Sequence, residues 1–466
     1  MPCRNPHHHD DGPTACRPTN AVLRSIKREI KNARALSAAD VRLAANMGLI
    51  SVDLPRRTGF NDGVFYPANA INLNRAPADR PLRAARMERA DASKKAAKRK
   101  LHAIALLVDF HDNKGTRPAA DFAKMLFDKS NPASMTNIYK DMSYGMLDVS
   151  GEVAGWLRMP KAYSFYTNGE SGTGDNYPKN TPGLLFDALT EFCKNDNLKR
   201  FDLDGDGFVD GIFLIHAGGG AEAEPNPATR KEMIWSHKWT LPQAFVNKGI
   251  RVFAYSTEPE DGRVGVFSHE FGHVLGLPDL YDTSYRSEGV GDWCLMGGGS
   301  WGGAGLSPTR MSCWCLSKLG WIKPRKAKSA LYTLDTLEND ADACLWAWTA
   351  GKSGPEYFLI ENRQASGRDK SLPGSGLAIW HINENQSDNT NPLSYKVGLV
   401  QADGMRDLER AANRGDAGDV FPGTAGVKRI DDATTPSTAA QNGLPSKVAF
   451  SAMSVSAGKA KVRVKV

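Results

Sequence analysis

The residue types able to do chemistry concentrate in one run, His269-Glu270-Phe271-Gly272-His273-Val274-Leu275-Gly276-Leu277-Pro278-Asp279. Four helical residues turn about 400°, so His269 and His273 stand one turn apart on one face and offer two imidazole nitrogens to a single ion. Glu270 follows the first histidine and is placed to reach a water at that ion without being a ligand. Gly276 permits the left-handed backbone that ends a helix, and Pro278 cannot continue it. Asp279 is thereby returned towards the ion as a third ligand. Two histidines, one carboxylate and a water make a tetrahedral zinc site with one open, catalytic position, and Glu270 is the expected general base.

A second constellation is Asp202-Leu203-Asp204-Gly205-Asp206-Gly207-Phe208-Val209-Asp210. Alternating carboxylates with glycines at the bends match the first nine positions of a calcium loop, with Asp202, Asp204, Asp206, Asp210 and the Phe208 carbonyl as ligands for Ca²⁺. Phe213 stands where an EF-hand has its bidentate glutamate, so the loop is calcium-loop-like rather than an EF-hand; the alternative is an Asp/Gly-rich turn. Asp416 and Asp419 are weaker candidates for a second calcium, against a plain polar turn. His216, His237 and His381 flank apolar or Trp-containing segments and read as hydrogen-bonded structural histidines. His7 to His9 would scavenge metal weakly, and Cys3 or Cys16 would be a thiolate cap for a latent zinc, although no latency motif surrounds either.

These residues need a scaffold. The apolar run Ala103 to Phe110 predicts a fully buried strand, followed by helices near 119–127 and 135–142, an extended stretch at 146–156, a helix at 182–194 and a buried strand at 211–216. Strands alternating with helices predict an α/β layer arrangement over 101–322. From 323 to 466 the pattern turns to short strands, at 356–361, 376–382, 396–401 and 460–466, the last with Lys461, Arg463 and Lys465 on one face and Val462, Val464 and Val466 on the other. Residues 1–100 read as a separable leader, helical or irregular, ending in the basic stretch KKAAKRK.

The 466 residues carry 59 Lys and Arg against 52 Asp and Glu, a formal charge of +7. Ten of the basic residues lie between Arg75 and Lys100, so the excess belongs to one segment and gives no nucleic-acid-binding face. No run approaches the roughly 18 apolar residues of a membrane span. The start, MPCRNPHHHDDGP, has no apolar core of a secretory signal. Seven cysteines without a Cys-x-x-Cys pair predict buried thiols rather than a cysteine zinc site. Phosphate-loop, dinucleotide and Ser-His-Asp chemistry lack their spacings.

The extended motif resembles the zincin metalloproteases, in particular the metzincin-like branch, with Asp279 where a third histidine is more usual. Cys294-Leu295-Met296-Gly297-Gly298-Gly299 resembles the Met-turn of that branch through Met296, and Gly298 stands where some members have a tyrosine. Further stretches, SMTNIYKDMSYGMLDVSGEVAGW, FDLDGDGFVDGIFLIHAGGGAE, IWSHKW, EYFLIENRQ, LPGSGLAIWHINE, LVQADGMRDLE and RGDAGDVFPG, narrow the resemblance to the immune inhibitor A type, the M6 peptidases. It implies a zincin-like catalytic domain, a mixed sheet carrying the active-site helix, followed by a β-rich C-terminal region. It also implies a secreted zinc endopeptidase acting on protein or peptide substrates and commonly made with a propeptide. The alternatives are a zinc amidase with a non-protein substrate and a catalytically silent zinc-containing binding module.

Overall fold

A computed structural model of the chain describes residues 20–31, 40, 44, 98–283 and 286–466. Two compact units emerge. The first holds residues up to 140 with 145–278 and 304–306; the second holds 141–144, 279–303 and 307–466. Packing thus divides the chain elsewhere than the change of sequence pattern near 322. The reason is that 279–303 make their hydrogen bonds to later residues: Glu288 N–H to Leu408 O at 2.8 Å, Asp292 N–H to Arg414 O at 2.7 Å and Trp293 Nε1–H to Asp419 at 2.9 Å.

In the first unit, helix α1 (Asn20–Lys31) precedes strand β1 (Arg99–Asp109), helices α2 (Ala119–Leu126) and α3 (Met135–Met142), and strand β2 (Leu147–Arg158). Helices α4 (Tyr163–Thr167) and α5 (Thr181–Phe192), strand β3 (Ile212–His216) and helix α6 (Pro227–Arg230) follow. Strands β4 (His237–Asn247) and β5 (Ile250–Pro259) and helix α7 (Val264–Val274) complete it. The sheet runs β2-β1-β3-β5-β4, parallel except for the antiparallel edge strand β4. Strand periodicity decides which residue meets which helix. On β3, Ile212 and Leu214 join a core with Ile104, Leu106 and Val108 of β1 and Leu184, Leu185, Ala188 and Leu189 of α5. Phe213 points the other way and meets Phe267 and Phe271 of α7, its ring 6.0 and 5.9 Å from theirs. Helices on both faces explain the near-continuous apolar runs of β1 and β3.

Strand β1 starts at Arg99, so the expected leader boundary at 100 falls inside it: Arg99 pairs with Leu147 and Lys100 with Asp148. The hairpin β4–β5 has no counterpart among the sequence expectations. Pro242 and a register shift between Thr240 and Phe245 interrupt the alternation of β4, as suits an edge strand.

In the second unit, helix α8 (Cys313–Lys318) is followed, among the described residues, by strands and short 3₁₀ turns. Strands β6 (Arg325–Lys326), β7 (Ala330–Leu334), β8 (Cys344–Ala347), β9 (Glu356–Arg363) and β10 (Gly376–Asn383) lead to β11 (Val397–Leu399), β12 (Arg429–Ile430), β13 (Ala449–Ser456) and β14 (Lys459–Lys465). They form two sheets, β11-β10-β9-β8-β6 and β12-β13-β14-β7. Leu345, Phe358, Ile360 and Ile379 of one sheet share a core with Phe450, Val462 and Val464 of the other. Lys461, Arg463 and Lys465 are exposed, so β14 alternates as its sequence does. No helix among the described residues is long and apolar enough to cross a membrane.

Candidate metal centre

Helix α7 is buried from Val264 to His273. Its start is held by Gly265 N–H to Gly305 O at 2.9 Å and by the Arg263 guanidinium donating to Ala304 O at 2.8 Å. The Tyr139 hydroxyl of α3 donates to Ser268 O at 2.5 Å, and the Tyr139 ring meets Phe271 edge-on at 5.0 Å. The helix ends in a Schellman turn: Gly276 N–H to His273 O and Leu277 N–H to Gly272 O, both 3.0 Å, with Gly276 at φ +96°. A side chain at 276 would strain that backbone.

The turn also orients a ligand. His273 Nδ1 lies 2.7 Å from Leu277 O, and because a carbonyl only accepts, Nδ1 carries the hydrogen and Nε2 keeps its lone pair. The Nε2 atoms of His269 and His273 are 3.2 Å apart. Two nitrogens each bonded to one zinc at 2.0–2.1 Å in tetrahedral geometry lie about 3.3 Å apart, so the pair fits. One donor atom from each of His269, His273 and Asp279 lies within 4.8 Å of the other two, and all three residues are buried. Glu270 is fully buried beside them.

Two carboxyls near this helix are not singled out by the sequence. Glu258 of β5 is buried, and burial, then the charge of Glu270, push its carboxyl well above the usual range. Glu222 accepts from the Ser236 hydroxyl and backbone N–H, and burial lifts it to about 8. Their signal is tertiary. Only the pairing of β3 with β5, Ile215 opposite Glu258, turns Glu258 into the layer under α7.

In the second unit, Met296 is buried within a tight turn closed by Gly297 N–H and Gly299 N–H to Cys294 O, at 2.9 and 3.0 Å. Its carbonyl accepts from Leu280 N–H at 2.8 Å.

The acidic loop gathers Asp202, Asp204 and Asp210, with donor oxygens within 4.8 Å of one another. Asp202 Oδ1 is buried without a hydrogen-bond partner, and burial pushes Asp210 to about 6. Asp206 stands outside this trio: its Oδ1 accepts from Phe208 N–H at 2.9 Å, and Phe208 bridges to Arg251. The Arg99 guanidinium, 3.4 Å from Asp204, partly balances the charge.

Asp416 and Asp419 form a hydrogen-bonded turn. Asp419 accepts from Trp293 Nε1–H and Asp416 N–H, both at 2.9 Å, while Asp416 accepts from Asn413 and Gly418 N–H. His216 sits 3.0 Å from Ala217 O, His237 3.0 Å from the Thr181 hydroxyl, and His381 2.8 Å from Glu356. Among the described residues no cysteine is disulfide-bonded; Cys294 and Cys315 sulfurs are 3.8 Å apart. His7 to His9, Cys3 and Cys16 lie outside the described residues.

Two histidines a turn apart, a glutamate beside the first and an aspartate returned by the closing turn define the metallopeptidase class built on a His-Glu-x-x-His helix. Within that class the assignment is specific. The chain belongs to the immune inhibitor A peptidase M6 family, whose catalytic-domain model matches residues 89–322, half of the chain. Immune inhibitor A of Bacillus thuringiensis subsp. alesti is 36% identical over 218 residues, 40% of this chain and 32% of the relative. Pre-pro-metalloprotease PrtV of Vibrio cholerae serotype O1 is 31% identical over 265 residues, 45% of this chain and 28% of the relative. The matched region thus spans about a third or less of these relatives.

Proposed function

We propose that the chain is a zinc-dependent endopeptidase whose zincin-like catalytic domain spans 101–322, with a β-rich region from 323. The carrying observation is the convergence of His269, His273 and Asp279 within 4.8 Å, with Glu270 buried alongside. Zinc, when bound, supplies the Lewis acidity that polarises a scissile carbonyl and brings a water's pKa towards about 7. Glu270 takes the proton from the attacking water onto its carboxylate and returns it to the leaving amine. The Schellman turn holds His273 in the tautomer that a ligand needs.

We read Asp202, Asp204 and Asp210 as a structural Ca²⁺ site, supported by the buried, unpartnered Asp202 Oδ1. Asp206 and the Phe208 carbonyl were also in the set read from the sequence, but Asp206 stands outside the trio with its Oδ1 on Phe208 N–H. Purified protein should contain about one zinc per chain and hydrolyse casein, and a zinc chelator should abolish hydrolysis. Intact zinc with no hydrolysis would turn the reading to the binding module; hydrolysis of amides but not casein would turn it to the amidase.

A further inference from the structure

Arg230, the last residue of α6, is wholly buried, and all five of its guanidinium hydrogens are used. Nη1 donates to the carbonyls of Glu224 and Pro225, each at 3.2 Å. The other three bonds run to residues 190 and 201 positions earlier: Nε to Asp40 Oδ1 at 3.0 Å, and Nη2 to Asp40 Oδ2 at 3.3 Å and Glu29 Oε1 at 2.8 Å. The two carbonyls fix the guanidinium from the core side but bring no counter-charge. Both carboxylates come from the leader.

The surface of α1 fits the same role. Val22, Ser25, Ile26 and Glu29 recur at helical spacing and are buried, while Arg24, Arg28 and Lys31 are exposed. Ser25 donates to Glu29 Oε1 at 3.3 Å and holds that carboxylate on the buried face. A guanidinium buried without its partners is strongly disfavoured, so the core and the leader each carry half of one ion cluster.

We propose that Arg230 is the docking socket that holds α1 and Asp40 on the catalytic unit, and that this grip survives a cut in the basic stretch before β1. None of the five bonds involves residues 94–98, so hydrolysis there removes connectivity and leaves the cluster whole. Release of the leader is then a second step, separate from cleavage. This does not depend on the peptidase reading, because it concerns retention and not catalysis.

The test uses the full chain with residues 94–98 replaced by a site for a sequence-specific protease, cut and then run on gel filtration without denaturant. The leader should co-elute with the core. With Glu29→Gln and Asp40→Asn together, which leave the core sequence untouched, it should separate, with a dissociation constant raised about a hundredfold or more. In the uncut chains, hydrogen exchange in 22–31 should be slow in the parent and fast in the double variant. A parent leader that leaves on cutting, or a substituted leader retained and protected like the parent, overturns the proposal.

Discussion

Glu270 and His273 share α7 but have different work, and substitution separates them. Glu270→Ala removes the proton carrier and none of the three ligands, so metal analysis should still find zinc while kcat/KM on casein falls about 10²- to 10⁴-fold. His273→Ala removes a ligand, and zinc content should fall with activity. Full zinc in that variant would refute the ligand set. Glu222 provides a pH test of the same unit. Its carboxyl sits near 8 when folded against 4.5 for the ordinary group. Between those values the folded chain keeps a proton that the unfolded chain releases, so Glu222 stabilises the fold below 4.5 and loses that contribution as pH rises through 8. Glu222→Gln should flatten the decline in stability between pH 5 and 8 by up to about 1.4 kcal/mol per pH unit, read from denaturant melts. Identical slopes would mean that Glu222 is not protonated in the folded chain. The candidate ligands were legible in the sequence because eleven consecutive residues carry all three of them. Glu222 and Glu258 were not, since their neighbours come from other strands.

At the scale of elements, α7 was readable for the same local reason: a helix, a glycine at φ +96° and a proline are written within a few residues. Strand β1 was recognisable from its apolar run but not its start, because Arg99 and Lys100 pair as strand while remaining exposed. The hairpin β4–β5 was hidden by Pro242 and the bulge. The acidic loop shows the limit in detail: alternation treats its four aspartates alike, but the backbone turns Asp206 onto Phe208 N–H. The loop leads directly into β3, and Asp210 N–H bonds Phe201 O at 2.7 Å, so a cation there would pin the entry to a central strand. Calcium at a hundred times its dissociation constant should raise Tm by on the order of 5 °C. Asp202→Ala should abolish that rise. A parent protein whose Tm ignores both calcium and a selective calcium chelator would leave the loop an ordinary turn.

For the whole chain, the net charge of +7 is concentrated before β1, where trypsin-like proteases find many sites. We expect residues up to about 100 to act as an inhibitory propeptide. Strand pairing locates the cut. Arg99, Lys100 and Leu101 pair with Leu147, Asp148 and Val149 of β2, and Arg99 N–H bonds Met146 O at 2.8 Å. A protease needs its substrate segment extended and unpaired, so bonds within β1 resist while the bond after exposed Lys98 does not. Limited trypsin treatment should therefore leave a stable fragment beginning no later than Arg99, rather than at Leu101. If the leader stays docked through Arg230, casein hydrolysis should rise only when that fragment is separated from it. A full-length chain already as active as the separated fragment would make the leader a cap without inhibitory effect.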